Sequence, residues 1–173
     1  MKALFFALFV AIGASAQVLV SPVEAMAESF SANTIISKKN ILLSKKEALA
    51  VQKRAGVKLD TKIYRIYIAK KKNKALGYGI LINKKVRSKN AVVLYVIKDG
   101  LLEDIEIIAF NEPREYLPTK AWLEQFKQQD TKQMLKLNRE VASITGATLS
   151  ARSVTQGSRI AFALYAKILI TGD

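Results

Sequence analysis

Neither cysteine nor histidine occurs anywhere in the chain. Without cysteine there is no disulfide frame, no Cys-x-x-Cys-His haem attachment, no thiolate zinc site and no iron–sulfur ligation. Without histidine the usual general base is missing, and with it Ser-His-Asp triads and His-rich metal sites. Acidic residues are scarce as well, with 14 Asp and Glu against 28 Lys and Arg. None of those carboxylates is spaced as a ligand cluster, so no metal site is read from the sequence. Any redox work therefore rests on an organic cofactor. No low-complexity tail and no solenoid-period repeat stands out.

What remains is a chain of 173 residues, half of them hydrophobic, with room for one domain and a real core. The formal charge is +14. The basic residues fall in short runs: Lys38-Lys39, Lys45-Lys46, Lys70-Lys71-Lys72, and Lys84-Lys85-Val86-Arg87 with Lys89. One reading makes these solvated faces and turns. The other makes them a steering field for an anionic partner, either membrane headgroups or an acidic redox protein. Nucleic acid is not expected, because the runs lack the interleaved aromatics of a stacking platform.

The first residues have the pattern of an export leader. Lys2 is followed by the apolar run Ala3–Ile12 and then by Gly13, Ala14, Ser15 and Ala16. Two cleavage points fit: Ala14-Ser15-Ala16 releases Gln17, and Ala25-Met26-Ala27 releases Glu28. An uncleaved anchor is the other reading, since Ala3–Val20 approaches the roughly 20 apolar residues of a membrane span. Residues 1–27 are therefore expected to be a signal peptide or anchor, and 28–173 one domain. Loss of 1–27 removes Lys2 and Glu24, which leaves the charge unchanged. Either way the working domain is expected in the periplasm or on the outer face of the inner membrane.

Along the rest of the chain, Ser44-Lys45-Lys46-Glu47 has capping-box spacing and predicts a helix over 44–55 that stops at Gly56. Ile63–Ile68 is a β-rich run. Lysines and Asn73 then turn the chain into Ala75–Ile82. Ala91–Ile97 meets Asp99-Gly100, a strong hairpin signal, and Leu102–Phe110 returns. Pro113 and Pro118 bracket a loop, and Thr119 caps a short helix through Trp122, Leu123 and Phe126. A polar, basic stretch from Lys127 to Glu140 shows no clear periodicity. The clearest helix runs from about Leu149 to Ile168. The fold class is α+β, an antiparallel β-meander with helices packed at one face or edge, the longest of them C-terminal.

The segment Val141–Ser150 leads straight into that last helix. Gly146 permits a tight turn or close approach of a ligand, and Ala147 keeps the surface low. Thr148 is expected at the N-cap, beside unpaired amides and the positive end of the helix dipole. A phosphate placed there gains both, and Arg152, one turn inside, adds a planar counter-charge. An ordinary turn and cap, with Thr148 accepting from the amide of Ser150 or Ala151, explains the same residues. Thr145 is expected to support the turn outside the helix. Ser150 is expected inside the first turn, facing away from the amides. Residue chemistry alone thus reaches an anion site and does not name its ligand.

Thr145-Gly146-Ala147-Thr148 resembles the last four positions of the flavinylation motif of the FMN-binding domain family, roughly Asp-x-x-Ser/Thr-Gly-Ala-Ser/Thr. That family includes the flavin subunits of the bacterial sodium-pumping quinone reductase and of the related Rnf complex. The resemblance extends through Gly77-Tyr78-Gly79, Asp99-Gly100, Phe110-Asn111-Glu112, Trp122–Phe126 and the final helix to Tyr165, covering about residues 75–166. It implies FMN as cofactor, joined as a phosphoester to Thr148, with Thr145, Gly146, Ala147, Leu149, Ser150 and Arg152 around it. It also implies a flavin transferase that uses FAD as donor outside the cytoplasm. The chain departs from the motif at Ala142, where the family has Asp.

The implied role is an extracytoplasmic electron carrier without a substrate of its own, serving a membrane or periplasmic redox partner. Tyr78, Tyr116 and Trp122 are candidates to flank the ring, although aromatics on an apolar face also serve as core. Glu112 either orients the flavin or pairs with Arg114. Three alternatives remain: non-covalent FMN binding, a basic exported binding module without cofactor, and a flavin reductase with a small substrate. For the last, the chain offers no nicotinamide fingerprint and no evident proton-donor set.

Overall fold

The structure is a computed structural model that describes residues 19–31 and 33–171, with side chains through Lys167. Residues 1–18, most of the expected leader 1–27, lie outside the described residues. In chain order the elements are α1 (Pro22–Ser29), β1 (Ile35–Leu42), α2 (Lys45–Ala55), β2 (Ile63–Lys71), β3 (Lys74–Lys85) and β4 (Asn90–Lys98). β5 (Leu101–Phe110), α3 (Lys120–Leu123), β6 (Gln129–Asp130) and α4 (Thr148–Thr171) follow. The six strands form one antiparallel meander in the order β1-β2-β3-β4-β5-β6. The protein is α+β, with the long helix at its C-terminal end.

Local chemistry accounts for most boundaries. Ser44 and Glu47 close a reciprocal capping box on α2, and Gly56 ends it in the left-handed region at φ +59°. Lys72 and Asn73, then Asp99 and Gly100, all take positive φ, as the tight turns of β2–β3 and β4–β5 require. Thr119 accepts from the Trp122 amide to start α3, which tightens into a 3-10 turn over Glu124–Phe126.

The sheet is covered on both faces rather than one. Tyr64, Ile66 and Ile68 of β2 point with Ile80, Val93 and Tyr95 toward α2 and α4. The alternate residues Tyr67 and Ala69 point with Leu94, Val96 and Ile108 toward α1. This double burial is why Val93–Ile97 reads as a continuous apolar run instead of alternating. α1, made of residues expected in the leader or at its edge, thus belongs to the core, with Ala25 and Met26 fully buried.

Two strands were not expected from sequence. β1 pairs with β2 from Ile35↔Lys70 to Leu42↔Ile63, and its exposed, lysine-bearing edge carries little apolar alternation. β6 is a two-residue pairing of Gln129 and Asp130 with Leu102 and Leu101. α4 is held on the sheet by the buried Tyr95, whose hydroxyl donates to the Val154 carbonyl at 2.9 Å. Among the described residues, no helix is long and apolar enough to cross a membrane.

Candidate functional site

The start of α4 faces a cavity of about 240 Å³. Gly146, Ala147, Thr148, Leu149 and Ser150 form one wall, with Val86, Arg87, Glu112 and Tyr116 opposite. Thr145 and Gly146 make the preceding turn, closed by the Ala147 amide donating to the Ile144 carbonyl at 3.1 Å. Gly146 sits at φ +80° with open space where a side chain would project, so the backbone is bare on the ligand side.

Thr148 is the first helical residue, not the cap. Ala147 takes the cap place, its carbonyl accepting from the Ala151 amide at 3.1 Å. The Thr148 hydroxyl donates backward to the Ile144 carbonyl at 3.3 Å and caps no amide. Among the described residues nothing accepts from the amides of Thr148, Leu149 and Ser150, and the first turn holds no acidic residue. The donors and dipole of a free helix N-terminus are therefore present.

Ser150 lies inside the first turn of α4, as its sequence position suggested. It is buried in the cavity wall, and its Oγ has no hydrogen-bond partner. A buried hydroxyl left unsatisfied is unfavourable, and this one is shielded from solvent. Thr145 and Arg152 are both exposed and stand outside the cavity lining. The cation that does line it is Arg87.

Arg87 is placed by Glu112. The buried Glu112 carboxylate accepts from the backbone amides of Arg87, Ser88 and Lys89 at 3.0, 2.6 and 2.7 Å. The Ser88 hydroxyl adds a bond at 3.2 Å. Led by the Lys89 amide, and against the effect of desolvation, these bonds hold the Glu112 carboxyl below the usual carboxylate range. Glu112 thus stays ionised and organises the 86–89 turn; its oxygens serve that turn rather than Arg114. This role was missed in the sequence because the partners lie 23 to 25 positions away. The run Lys84–Lys89 was the only hint.

Of the three aromatic candidates, Tyr116 lines the cavity. Tyr78 packs edge-on against Tyr165, with ring centroids 5.7 Å apart. Trp122 packs against Phe126, and its ring N–H donates to the Ala142 carbonyl at 2.9 Å. The Ala142 amide in turn donates to Gln125 Oε1 at 2.7 Å. Both backbone groups of Ala142 are therefore tied to the α3 region, just ahead of the motif.

Residues 86–163 match the sequence profile of the FMN-binding domain family. This segment is an FMN-binding domain. No curated protein sequence matches the chain. The FMN-binding domain begins at the Val86-Arg87 turn and ends within α4, so it spans both walls of the cavity. The family implies FMN, and the cavity residues fit its phosphate end: three free amides, an arginine and a bare glycine turn.

Proposed function

We infer that this protein is an exported flavin carrier that holds FMN at the N-terminus of α4, as a phosphoester on Thr148 Oγ1. The observation that carries the reading is the pairing of the exposed Thr148 residue with the unpartnered amides of Thr148, Leu149 and Ser150 in one cavity wall. The Thr148 hydroxyl hydrogen-bonds the Ile144 carbonyl at 3.3 Å, leaving its lone pairs open to attack the FMN phosphorus of FAD, with the pyrophosphate P–O bond breaking, AMP leaving and the hydroxyl proton lost. The amides of Thr148 to Ser150 then face the phosphate diester, whose single charge the helix dipole favours by roughly 0.3–1 kcal/mol. Arg87 adds a guanidinium at the rim.

FMN when bound supplies the redox chemistry. The chain supplies anchoring and charge. A cavity of about 240 Å³ is smaller than the ~300–1,000 Å³ of pockets that enclose whole ligands. It suits the phosphate end and leaves the flavin ring open to a partner. That partner is a membrane or periplasmic redox component, attracted by a net charge of +14. The apolar leader sequence supports the same compartment.

The test is the intact mass of protein made with its native transferase. The wild type should carry a covalent FMN increment and keep flavin fluorescence after denaturation. Thr148→Ala should lose both while remaining folded, and Thr148→Ser should keep part of the label. Label retained on Thr148→Ala would overturn the assignment. One observation favours a second reading, non-covalent FMN: Ala142 stands where the family motif has Asp. Flavin colour that washes out on denaturation of the wild type would decide for it.

A further inference from the structure

Three cations from three segments meet at a second cavity, about 300 Å³, on the flank of α4. Arg54 comes from the last turn of α2, Lys132 from the loop after β6, and Arg159 from α4 itself. Phe162 and Met134 supply apolar wall, and no Asp or Glu lines the space. Among the described residues, none of the three cations is ion-paired to a carboxylate.

Arg159 is the informative member. Its Nε is buried without a hydrogen-bond partner, and its Nη1 reaches only the Met134 sulfur, at 3.7 Å. A guanidinium carries five N–H donors, and a thioether is a weak acceptor. Burial pushes the Arg159 pKa down, with no favourable contact opposing it. Half-burying a charge without an acceptor is costly. Gly56, at the C-terminal end of α2, lies beside Arg159 Nη1, so the negative end of that helix offsets part of the charge. It does not provide an acceptor for Nε.

We propose that this cavity binds a phosphate group, with Arg159 and Lys132 as its principal donors and Arg54 closing the third side. A carboxylate is satisfied by one guanidinium fork, whereas a tetrahedral dianion uses cations arriving from several directions. The cavity lies three turns along α4 from Thr148, about 16 Å away. It is separate from the site at the helix N-terminus and stands or falls independently of the flavin reading. Free phosphate, a soluble phosphomonoester and a lipid phosphate headgroup share this chemistry.

The experiment is a residue-resolved NMR titration of the ¹⁵N-labelled protein with inorganic phosphate, and in a parallel arm with phosphatidate-containing vesicles. The Arg159 Nε–Hε resonance and the amides of residues 131–134 should move together and saturate. Saturation in the first arm alone identifies a free ligand, and in the second alone a lipid. Arg159→Gln should weaken binding by about tenfold or more, since a charge-assisted fork is lost. Lys132→Gln, at an exposed position that leaves the fold intact, should weaken it by a few-fold. Lys71→Gln, at the end of β2, should leave it unchanged. An Arg159 resonance that does not saturate in either arm would overturn the proposal. So would wild-type affinity in both cavity variants, or equal weakening by Lys71→Gln, which would mean charge alone.

Discussion

Met26 occupies the space that a side chain on Gly79 would need: a Cβ at Gly79 would collide with the Met26 sulfur. Two residues earlier, on the same face of β3, a Cβ at Gly77 would stand 2.5 Å from the Phe30 ring. The two glycines of β3 thus make room for side chains from α1 and its C-terminal edge, and α1 closes the second face of the sheet.

This bears on the expected leader and its two cleavage points. Cleavage after Ala27 removes Ala25 and Met26 from the core, and losing a buried Met side chain costs about 2–5 kcal/mol. Cleavage after Ala16 leaves α1 whole. If the chain is exported and cleaved, N-terminal sequencing should read from Gln17. In urea, a version starting at Glu28 should unfold at a lower midpoint than one starting at Gln17. Equal midpoints would show α1 to be dispensable.

Glu112 should matter for stability as well as for the cavity. Glu112→Gln keeps an acceptor but loses the charge that gathers three amides, a loss of about 1–2 kcal/mol. For a chain of this size the melting temperature should fall by roughly 2–8 °C. The flavinylated fraction should fall with it, because Arg87 rides on the same turn. Arg114→Gln should leave both unchanged, and a matching loss there would contradict the assigned partners.

Ala142→Asp tests the missing motif carboxylate. The Ala142 backbone is held by Trp122 and Gln125, and its side chain is exposed. An Asp there fits without repacking. Co-expressed with the transferase, this variant should show a higher flavinylated fraction than the wild type by intact mass. An unchanged fraction would mean that the enzyme does not use the carboxylate on this substrate.

The contact between Glu47 and Lys167, at 2.5 Å, ties α4 to the start of α2. The Lys167 hydrogen bond, helped by those from Ser44, lowers the Glu47 carboxyl from 4.5 to about 2. A depressed carboxylate stabilises the fold above its unfolded value, and the contribution is lost as pH falls through the folded one. The stability gap between wild type and Glu47→Gln should therefore be full above about pH 4.5 and close progressively toward pH 2. Urea unfolding across that range measures it. A pH-independent gap would assign the effect to packing.

Much of this protein is written in local sequence. The Ser44–Glu47 capping box, the Asp99-Gly100 turn, the Thr119 cap and the 3.6-residue pattern of α4 each involve groups within a few positions of one another. Short-range geometry alone decides such features, and they appeared where expected. The motif Thr145–Thr148 was visible for the same reason. It is contiguous, and its chemistry depends on a turn running into a helix.

What the tertiary structure decided depends on residues far apart in the chain. Whether Pro22–Ser29 is leader or core depends on the glycines of β3, more than 45 positions on. β1 forms because β2 offers it an edge, not because its own lysine-rich pattern demands a strand. Arg87, not Arg152, became the cation of the cavity because Glu112 folds the 86–89 turn toward α4. Ser150 is buried with its hydroxyl unpaired because of the face that α4 presents to the sheet. A single residue of helical phase is about 100° of rotation. Composition and caps fix an element's existence to within a residue or two, but only packing against the sheet fixes the phase, and the phase decides which of its side chains are buried and which are exposed.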